Sequence, residues 1–233
     1  MSQIEDVART FGEIEVTPLS KFQKVVGRRL TQSYTQIPHV THYDDADVTA
    51  LESFRKEMPS KISPLPFLMR ALAKVLGEFP KFNASLTEDG SSLIMKRYVH
   101  IGVAVDGPLG LLVPVIRDVD RKDIATIAAE LSEIIARART KGLPMDDMIG
   151  GSITITSLGG IGGTGFTPII NQPELAILGV SPSVAKPIWN GSAFEPRLMM
   201  PLSLAYDHRV LNGAEVARLV RRLAALLAHP EAL

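Results

Sequence analysis

The sequence predicts an α+β fold in which a mixed β-sheet packs against a layer of helices as a two-layer sandwich. Two runs rich in β-branched residues flank a turn in residues 98–118, which is typical of a hairpin. Further apolar strand patterns follow later in the chain, without the steady β-α-β alternation of a doubly wound sheet. Helical patterns with an apolar stripe lie between and after these strands. Together these observations favour a single α+β domain.

The N-terminal half contains three predicted helices and one extended segment. Residues 1–12 are polar and are assigned to a lead-in or linker remnant, and residues 13–233 to one domain, since repeats and Ala/Pro linkers are absent. Pro38 opens the extended segment. Apolar residues at helical spacing predict the helices, which are expected in residues 19–34, 49–58 and 64–80.

The C-terminal half begins with the clearest helical pattern, in residues 123–142. Its apolar residues fall on one stripe, Asp123 is the expected N-cap and Gly142 the expected terminating glycine. A glycine-rich connection occupies residues 159–173. Three strands and a closing helix complete the pattern, and these are predicted in residues 150–158, 174–181, 197–207 and 214–229.

Composition argues against several classes of function. Lys+Arg and Asp+Glu both number 25, so no basic excess points to nucleic acid or to a membrane surface. No uncharged apolar stretch reaches the roughly 18 residues of a membrane span, and the N-terminus lacks a signal core. The absence of cysteine excludes disulfides and thiolate chemistry and fits a cytoplasmic protein. The zero net charge is a weak indication of an oligomer.

Five histidines are candidates for chemistry, and one of them stands out. His39 and His42 are three apart in an extended segment, so their side chains point to opposite faces and joint metal binding is not expected. His100 opens a strand and is expected to be structural, whereas His229 lies at the C-terminus and is expected in solvent. His208 ends a buried strand beside a turn, which favours a catalytic role over the other four.

The glycine-rich stretch "GGIGGTG" (159–165) invites comparison with phosphate-binding loops. No lysine follows the glycines, and the stretch leads to Pro168 rather than into a long helix. The sequence therefore favours a sharply turning, closely packed connection over a nucleotide site.

The stretch "DHRVLNG" (207–213) resembles the His-x-x-x-Asp-Gly signature of the dihydrolipoamide acyltransferases, the core subunits of 2-oxo acid dehydrogenase complexes. Chloramphenicol acetyltransferase shares that signature. Five further segments resemble the dihydrolipoamide acyltransferases in their order: "IPHVT", "YVHIGVAVD", "GLLVPVIRD", "TITSLGGIGGTGFTPIIN" and "PELAILGVS". The resemblance covers roughly residues 13–233, and "FTPIIN" with "NG" is most similar to acetyltransferases of bacterial pyruvate dehydrogenase complexes.

The resemblance implies a chloramphenicol acetyltransferase-like domain that forms homotrimers. It implies an active-site channel between subunits, entered by acetyl-dihydrolipoamide at one end and by coenzyme A at the other. No metal is required. Trimers of this family are expected to assemble into a larger hollow core that engages lipoyl domains, the decarboxylase and the dihydrolipoamide dehydrogenase. No lipoyl or partner-binding domain is recognisable, so an excised core or a naturally short acyltransferase is expected.

The resemblance also assigns roles to four residues. It implies that His208 is the general base from one subunit, and that Thr156 supplies an oxyanion-stabilising hydroxyl from its neighbour. A thiol with a pKa of about 8.5 and a histidine near 6.5 suit proton transfer at neutral pH. Many relatives have serine where Thr156 stands. The signature aspartate is replaced by Asn212, which cannot form the ion pair for which Arg29 is the matching candidate.

Two other functions stay open at this point. One is a free-standing acyltransferase of the chloramphenicol type that uses acetyl-CoA. The other is a non-catalytic assembly scaffold, which only the substitutions at Asn212 and Thr156 favour. The sequence leaves the acyl group and the coenzyme A contacts undetermined.

Overall fold

The structure, a computed structural model, describes residues 3–107 and 110–233. The predicted lead-in is thus described from Gln3 onward, and the centre of the predicted hairpin turn, Pro108 and Leu109, lies outside the described residues. The helices are α1 (Gln3–Arg9), α2 (Lys21–Gln36), α3 (Thr49–Glu57), α4 (Pro64–Glu78), α5 (Ile124–Thr140) and α6 (Gly213–Leu227). The strands are β1 (His39–Asp47), β2 (Ala84–Leu86), β3 (Leu93–Met95), β4 (Ile101–Val103), β5 (Val105–Gly107), β6 (Gly110–Leu112), β7 (Val115–Ile116), β8 (Ile153–Ser157), β9 (Ala176–Val180), β10 (Val184–Trp189) and β11 (Phe194–Asp207).

The main sheet has the strand order β1-β11-β9-β8-β4-β7, and β10 pairs with the protruding part of β11. The strands β9, β8 and β4 run parallel to one another, whereas β11 runs antiparallel to both of its neighbours, β1 and β9. The short hairpins β2-β3 and β5-β6 form separate two-stranded sheets. The predicted mixed sheet and α+β class are therefore confirmed.

The two faces of the sheet differ in chemistry because side chains alternate along each strand. One face carries Ile153, Ile155 and Leu178, which form one core with the apolar stripes of α4, α5 and α6. The helices α4, α5 and α6 thus form the helical layer of the predicted sandwich, and the core lies between them and the sheet. The opposite face, here called the small-residue face, is defined by Gly102, Thr154, Thr156, Gly179 and Ser203.

The helix α4 is the centre of the helical layer. It contacts both α5 and α6, and α6 also lies against β1. Phe67, Met69 and Leu72 of α4 are fully buried, as its apolar sequence predicts. Asp123 caps α5 as expected, since its carboxylate accepts a 2.7 Å hydrogen bond from the Thr126 backbone N–H.

Three strands, β10, β2 and β3, and the helix α1 were not predicted from the sequence. The strand β10 has no buried residue and includes Pro187, so it shows no apolar alternation. Its partner β11 begins at Phe194, three residues before the predicted start at Arg197. The helix α1 has no buried residue, and the hairpin β2-β3 is too short for a clear pattern.

The C-terminal tail folds back on its own chain. Pro230 is buried, and the Lys74 ammonium donates to the Ala232 carbonyl. In the described part of the chain, no helix combines the length and apolarity that a membrane crossing needs.

Candidate active site

His208 lies in the turn that directly follows β11. The turn is held by backbone hydrogen bonds: the Asp207 N–H donates to the Leu175 carbonyl at 2.9 Å, and the His208 N–H donates to the Pro38 carbonyl at 3.3 Å. The His208 side chain is exposed, and among the described residues its ring has no hydrogen-bond partner. A fixed backbone thus presents a free imidazole to the surface.

Asp207 and Arg209 form an ion pair on either side of His208. The Asp207 side chain is 1% exposed, and its Oδ2 accepts a 2.6 Å hydrogen bond from Arg209 Nη2. Its Oδ1 accepts from both Nε and the backbone N–H of Arg209, each at 3.0 Å. The hydrogen bonds from Arg209 to this carboxylate raise the pKa of the guanidinium. The bidentate geometry makes the turn rigid.

Asn212 begins α6, four residues after His208. Its backbone N–H donates to the Glu215 carboxylate at 3.3 Å, and its carbonyl accepts from the Glu215 N–H at 3.0 Å. The structure therefore brings His208 and Asn212 into one turn at the start of a helix. Asn212 thus occupies the signature position and is also the N-cap residue of α6.

Thr156 lies on the small-residue face of β8, where it pairs with Gly179 of β9. Gly179 in turn pairs with Ser203 of β11. The Phe166 ring packs over this row, because a Cβ on Gly179 would come within 2.8 Å of a ring carbon. The Phe166 N–H donates to the Ser203 hydroxyl at 3.5 Å. The glycine-rich connection therefore covers the small-residue face, which agrees with the closely packed connection that the sequence favours over a nucleotide site.

The hydroxyl of Thr156 is available to a ligand. The residue is half-buried, and in the described ranges 3–107 and 110–233 its Oγ1 has no hydrogen-bond partner. A hydroxyl of this kind can donate to a developing oxyanion.

His208 and Thr156 do not meet within one chain. The register pairs Thr156 with Gly179 and Gly179 with Ser203, and Asp207 lies four residues beyond Ser203 on β11. At about 3.3 Å per residue and about 4.8 Å per strand, the Cα atoms of Asp207 and Thr156 are about 16 Å apart. His208 lies one residue further out, so one reacting carbonyl cannot contact both side chains of a single chain.

Arg29 lies on α2 and is exposed. Within the described residues of one chain it forms no hydrogen bond or ion pair, with Asn212 or with any other residue, and its place near the site stays a prediction. Within the chain, the arginine that stabilises the turn of residues 207–213 is Arg209, which forms an ion pair with Asp207. This local pair was missed because "DHR" carries no pattern that distinguishes a pair from solvated charges.

His39 has a positioning role that the sequence analysis did not find. The Ile170 N–H lies 3.1 Å from its Nε2, and its Nδ1 lies 2.9 Å from the Ile37 carbonyl. A neutral ring that donates from Nδ1 and accepts at Nε2 satisfies both contacts. His39 also pairs with Asp207 across the β1-β11 ladder. The ring therefore links the glycine-rich connection to the turn that carries His208.

Glu174 is a buried carboxylate that the sequence analysis also missed. It is 3% exposed, and its Oε1 accepts from Thr154 Oγ1 at 2.9 Å and from Asn171 Nδ2 at 3.3 Å. Burial raises the pKa of Glu174 to about 7, although these hydrogen bonds and nearby Lys96 oppose the shift. Gly151 leaves room for the carboxylate, since a Cβ there would lie 2.5 Å from Oε1.

The other histidines do not form a site with His208. His100 is mostly buried, and its Nδ1 accepts from the Asp118 N–H at 3.0 Å, in line with the expected structural role. The His229 side chain is 71% exposed. Among residues 3–107 and 110–233, no three His, Asp or Glu side chains are grouped so that they could hold a metal ion.

Comparison with known proteins identifies relatives along most of the chain. Residues 11–233 match the family model described as 2-oxoacid dehydrogenases acyltransferase (catalytic domain). The chain is 52% identical, over 94% of its length, to the dihydrolipoyllysine-residue acetyltransferase component of pyruvate dehydrogenase complex of Pseudomonas aeruginosa. It is 51% identical, over 96% of its length, to the corresponding component of Azotobacter vinelandii. The chain spans 41% and 36% of the length of these two relatives.

Solved structures agree with this grouping. A structure of Azotobacter vinelandii dihydrolipoamide acetyltransferase, used to investigate a serine, a histidine and an asparagine in its catalytic mechanism, matches with a TM-score of 0.92 and 50% identity over 96% of this chain and 95% of that one. The cubic core of the pyruvate dehydrogenase multienzyme complex matches with a TM-score of 0.92 and 51% identity over the same shares. A chloramphenicol acetyltransferase matches over 92% of this chain and 99% of that one, with a TM-score of 0.62 at 15% identity, and so shares the fold alone. The family model and these relatives show that the chain belongs to the acyltransferase family of the 2-oxoacid dehydrogenases and matches its catalytic domain.

Proposed function

We propose that this chain transfers an acetyl group between dihydrolipoamide and coenzyme A, at a site completed by two copies of the chain. The observation that carries the proposal is the separation of His208 from Thr156. Each side chain is free of intramolecular hydrogen bonds among the described residues, yet about 16 Å of sheet separates the Cα atom of Thr156 from that of Asp207, the residue before His208. A site that needs both groups therefore takes His208 from one subunit and Thr156 from its neighbour.

The relative from Azotobacter vinelandii supports these residue roles. The serine, histidine and asparagine investigated in its mechanism have the same spacing in sequence as Thr156, His208 and Asn212 here. Threonine keeps the hydroxyl donor of serine and restricts its rotamers. An asparagine at the position of Asn212 also occurs in that relative, so this residue gives no reason to infer a loss of activity.

The proposed reaction is a direct thiol-to-thioester exchange. The His208 imidazole accepts the proton of the coenzyme A thiol, and the sulfur attacks the carbonyl carbon of acetyl-dihydrolipoamide. The Thr156 hydroxyl donates a hydrogen bond to the resulting oxyanion. Collapse breaks the bond to the lipoyl sulfur, which takes the proton back from the imidazolium. Acetyl-CoA and dihydrolipoamide are the products, and no residue of the chain is acylated.

The same proposal covers assembly and partners. A homotrimer supplies the interfaces that the divided site requires, and the similarity to the cubic core of a pyruvate dehydrogenase complex favours trimers joined in a larger hollow core. The lipoyl group is expected on a separate domain. The decarboxylase and the dihydrolipoamide dehydrogenase are the expected partner enzymes, and the cytoplasm is the expected location. The domain assignment, with residues 1–12 as lead-in and 13–233 catalytic, stays a prediction.

The alternatives have less support. The chloramphenicol acetyltransferase shares 15% identity with this chain, against 50% to 52% for the dihydrolipoamide and dihydrolipoyllysine-residue acetyltransferases. A scaffold without catalysis would have no use for a free imidazole on a rigid turn.

A complementation experiment tests the divided site. His208→Ala and Thr156→Val chains are each expected to be inactive alone. When the two are unfolded, mixed in equal amounts and refolded together, activity should return to about a quarter of wild type, since about one interface in four then pairs an intact His208 with an intact Thr156. A mixture that assembles as the wild type does but stays inactive would contradict the proposal.

A further inference from the structure

Phe166 lies beside Thr156 on the small-residue face. Four paired residues form one row across neighbouring strands of this face, and they are Tyr43, Ser203, Gly179 and Thr156. The glycine-rich connection packs over the first three. A Cβ on Gly165 would lie 3.4 Å from the Tyr43 ring, and the Phe166 N–H donates to the Ser203 hydroxyl. The Phe166 ring then covers Gly179, the position next to Thr156.

The Phe166 ring meets the sheet with its tip. The ring carbons nearest to a Cβ on Gly179 would be Cζ, Cε2 and Cε1, at 2.8, 3.1 and 3.2 Å. These three atoms lie furthest from the Phe166 backbone. The ring therefore stands upright on Gly179 and forms a side wall of the space above Thr156.

Contacts near Phe166 hold this ring in place. Its own N–H is bonded to Ser203 Oγ at 3.5 Å, and Pro168, two residues later, is buried. The Ile170 carbonyl accepts a 2.6 Å hydrogen bond from Ser33 Oγ. A segment anchored at these points leaves the ring little freedom to move aside for a larger ligand group.

The space above Thr156 is narrow on the side of β9. Adjacent strands lie about 4.8 Å apart, and apolar carbon atoms are in contact at about 4.0–4.5 Å. A group held by the Thr156 hydroxyl therefore touches the Phe166 ring, with no free width between them. Along β8, the preceding side chain on this face is Thr154, which is 1% exposed and donates to Glu174. Both directions are closed to a longer chain.

We propose that Phe166 limits the transferred acyl group to the size of acetyl. The inference rests on the proposed function and names the residue that selects its substrate. When the Thr156 hydroxyl binds the carbonyl oxygen, the acyl chain lies next to the ring. A methyl group fits there in van der Waals contact, whereas a longer or branched chain overlaps the ring.

Steady-state kinetics with acetyl-, propionyl- and butyryl-CoA, and dihydrolipoamide as acceptor, test the role of Phe166. In the wild type, kcat/KM should fall with each added methylene group. In Phe166→Ala, the ratio of kcat/KM for butyryl-CoA to that for acetyl-CoA should rise at least tenfold, because the ring no longer occupies the space. Phe166→Leu keeps more of the apolar cover and should give a smaller rise. A ratio between two substrates cancels any loss of active protein.

Phe194→Ala is the matched control. It removes the same ring, but Phe194 is 69% exposed and lies at the start of β11, at the opposite end of the strand from Asp207. The ratio for this variant should equal that of the wild type.

Two results would overturn the inference while the proposed function stands. One is acetyl transfer by both Phe166 variants with the wild-type ratio, and the other is a wild type that transfers butyryl as efficiently as acetyl. An assembled wild type that transfers none of the acyl groups would instead contradict the proposed function, and the inference would fall with it.

Discussion

The two ends of strand β9 present opposite kinds of chemistry. Beyond its first residue lies the His208 turn, in which the Asp207–Arg209 pair and backbone hydrogen bonds fix an outward-facing imidazole. At its last residues lies Thr156, which pairs with Gly179 on the small-residue face that Phe166 covers. One end offers a proton acceptor to another molecule, and the other offers a sheltered hydroxyl. This difference is what two halves of a shared site require.

Removal of the imidazole should have the largest effect, because it leaves the His208 end without a base. We expect His208→Ala to lower kcat for acetyl transfer by about 10³-fold, within the usual range for a general base. The exposed side chain contributes little to packing, so the thermal midpoint should stay close to wild type. Turnover equal to wild type, or negligible turnover in both proteins with the assembly intact, would contradict the base role; the second result would favour a scaffold.

Substitution of Thr156 tests the other end. Thr156→Val keeps the shape of the side chain but removes the donor, so kcat should fall about 10²- to 10³-fold. Thr156→Ser restores the hydroxyl and should retain activity within a few-fold of wild type. Equal losses for valine and serine would mean that packing, rather than the hydrogen bond, is what this end supplies.

Glu174→Gln tests the buried carboxylate that lies two residues before β9. Its pKa rises from 4.5 to about 7 on folding, so the wild type loses stability as pH rises from about 4.5 to 7, because the unfolded chain ionises first. The glutamine variant cannot ionise. It should therefore gain on the order of 3 kcal/mol of unfolding free energy relative to wild type between pH 4.5 and 7.5. The unfolding free energies of both proteins would be measured by denaturant titration at each pH. If their difference does not change with pH across this range, the carboxylate is not buried as the structure has it.

Gly179→Ala perturbs the Thr156 end by a single methyl group. The added Cβ would lie 2.8 Å from the Phe166 ring, so we expect a loss of about 1–3 kcal/mol in unfolding free energy. Gly77 in α4 is the matched control, because a Cβ there meets nothing within 4 Å. Gly77→Ala should be neutral or stabilising by up to about 1 kcal/mol. Identical effects of the two alanines in chemical denaturation would exclude close packing at Gly179.

Much of the fold was predictable because it depends on local patterns. The apolar stripe of α5, its Asp123 cap and the alternation of β8 are properties of a few consecutive residues. The exposed strand β10 was not predictable, since it is stabilised by pairing with β11 and not by burial of its own side chains.

The supporting residues of the site depended on long-range contacts. The bond between His39 and Ile170 joins residues 131 apart in sequence, and Glu174 reaches Thr154 across 20 residues. Neither His39 nor Glu174 carries a sequence pattern that distinguishes it from an ordinary polar residue. Only the packing of the glycine-rich connection on the small-residue face brings these partners together.

The sequence by itself determined the fold class, the family resemblance and the choice of His208, because a strand end, a turn and a helix start are encoded within "AYDHRVLNGAEV". The tertiary structure decided where that histidine lies relative to Thr156, since the strand order and register set distances that no local pattern contains. It also decided which polar groups are buried. The physical reason is that hydrogen-bond partners and dielectric surroundings are properties of packed neighbours, and these come mostly from distant parts of the chain.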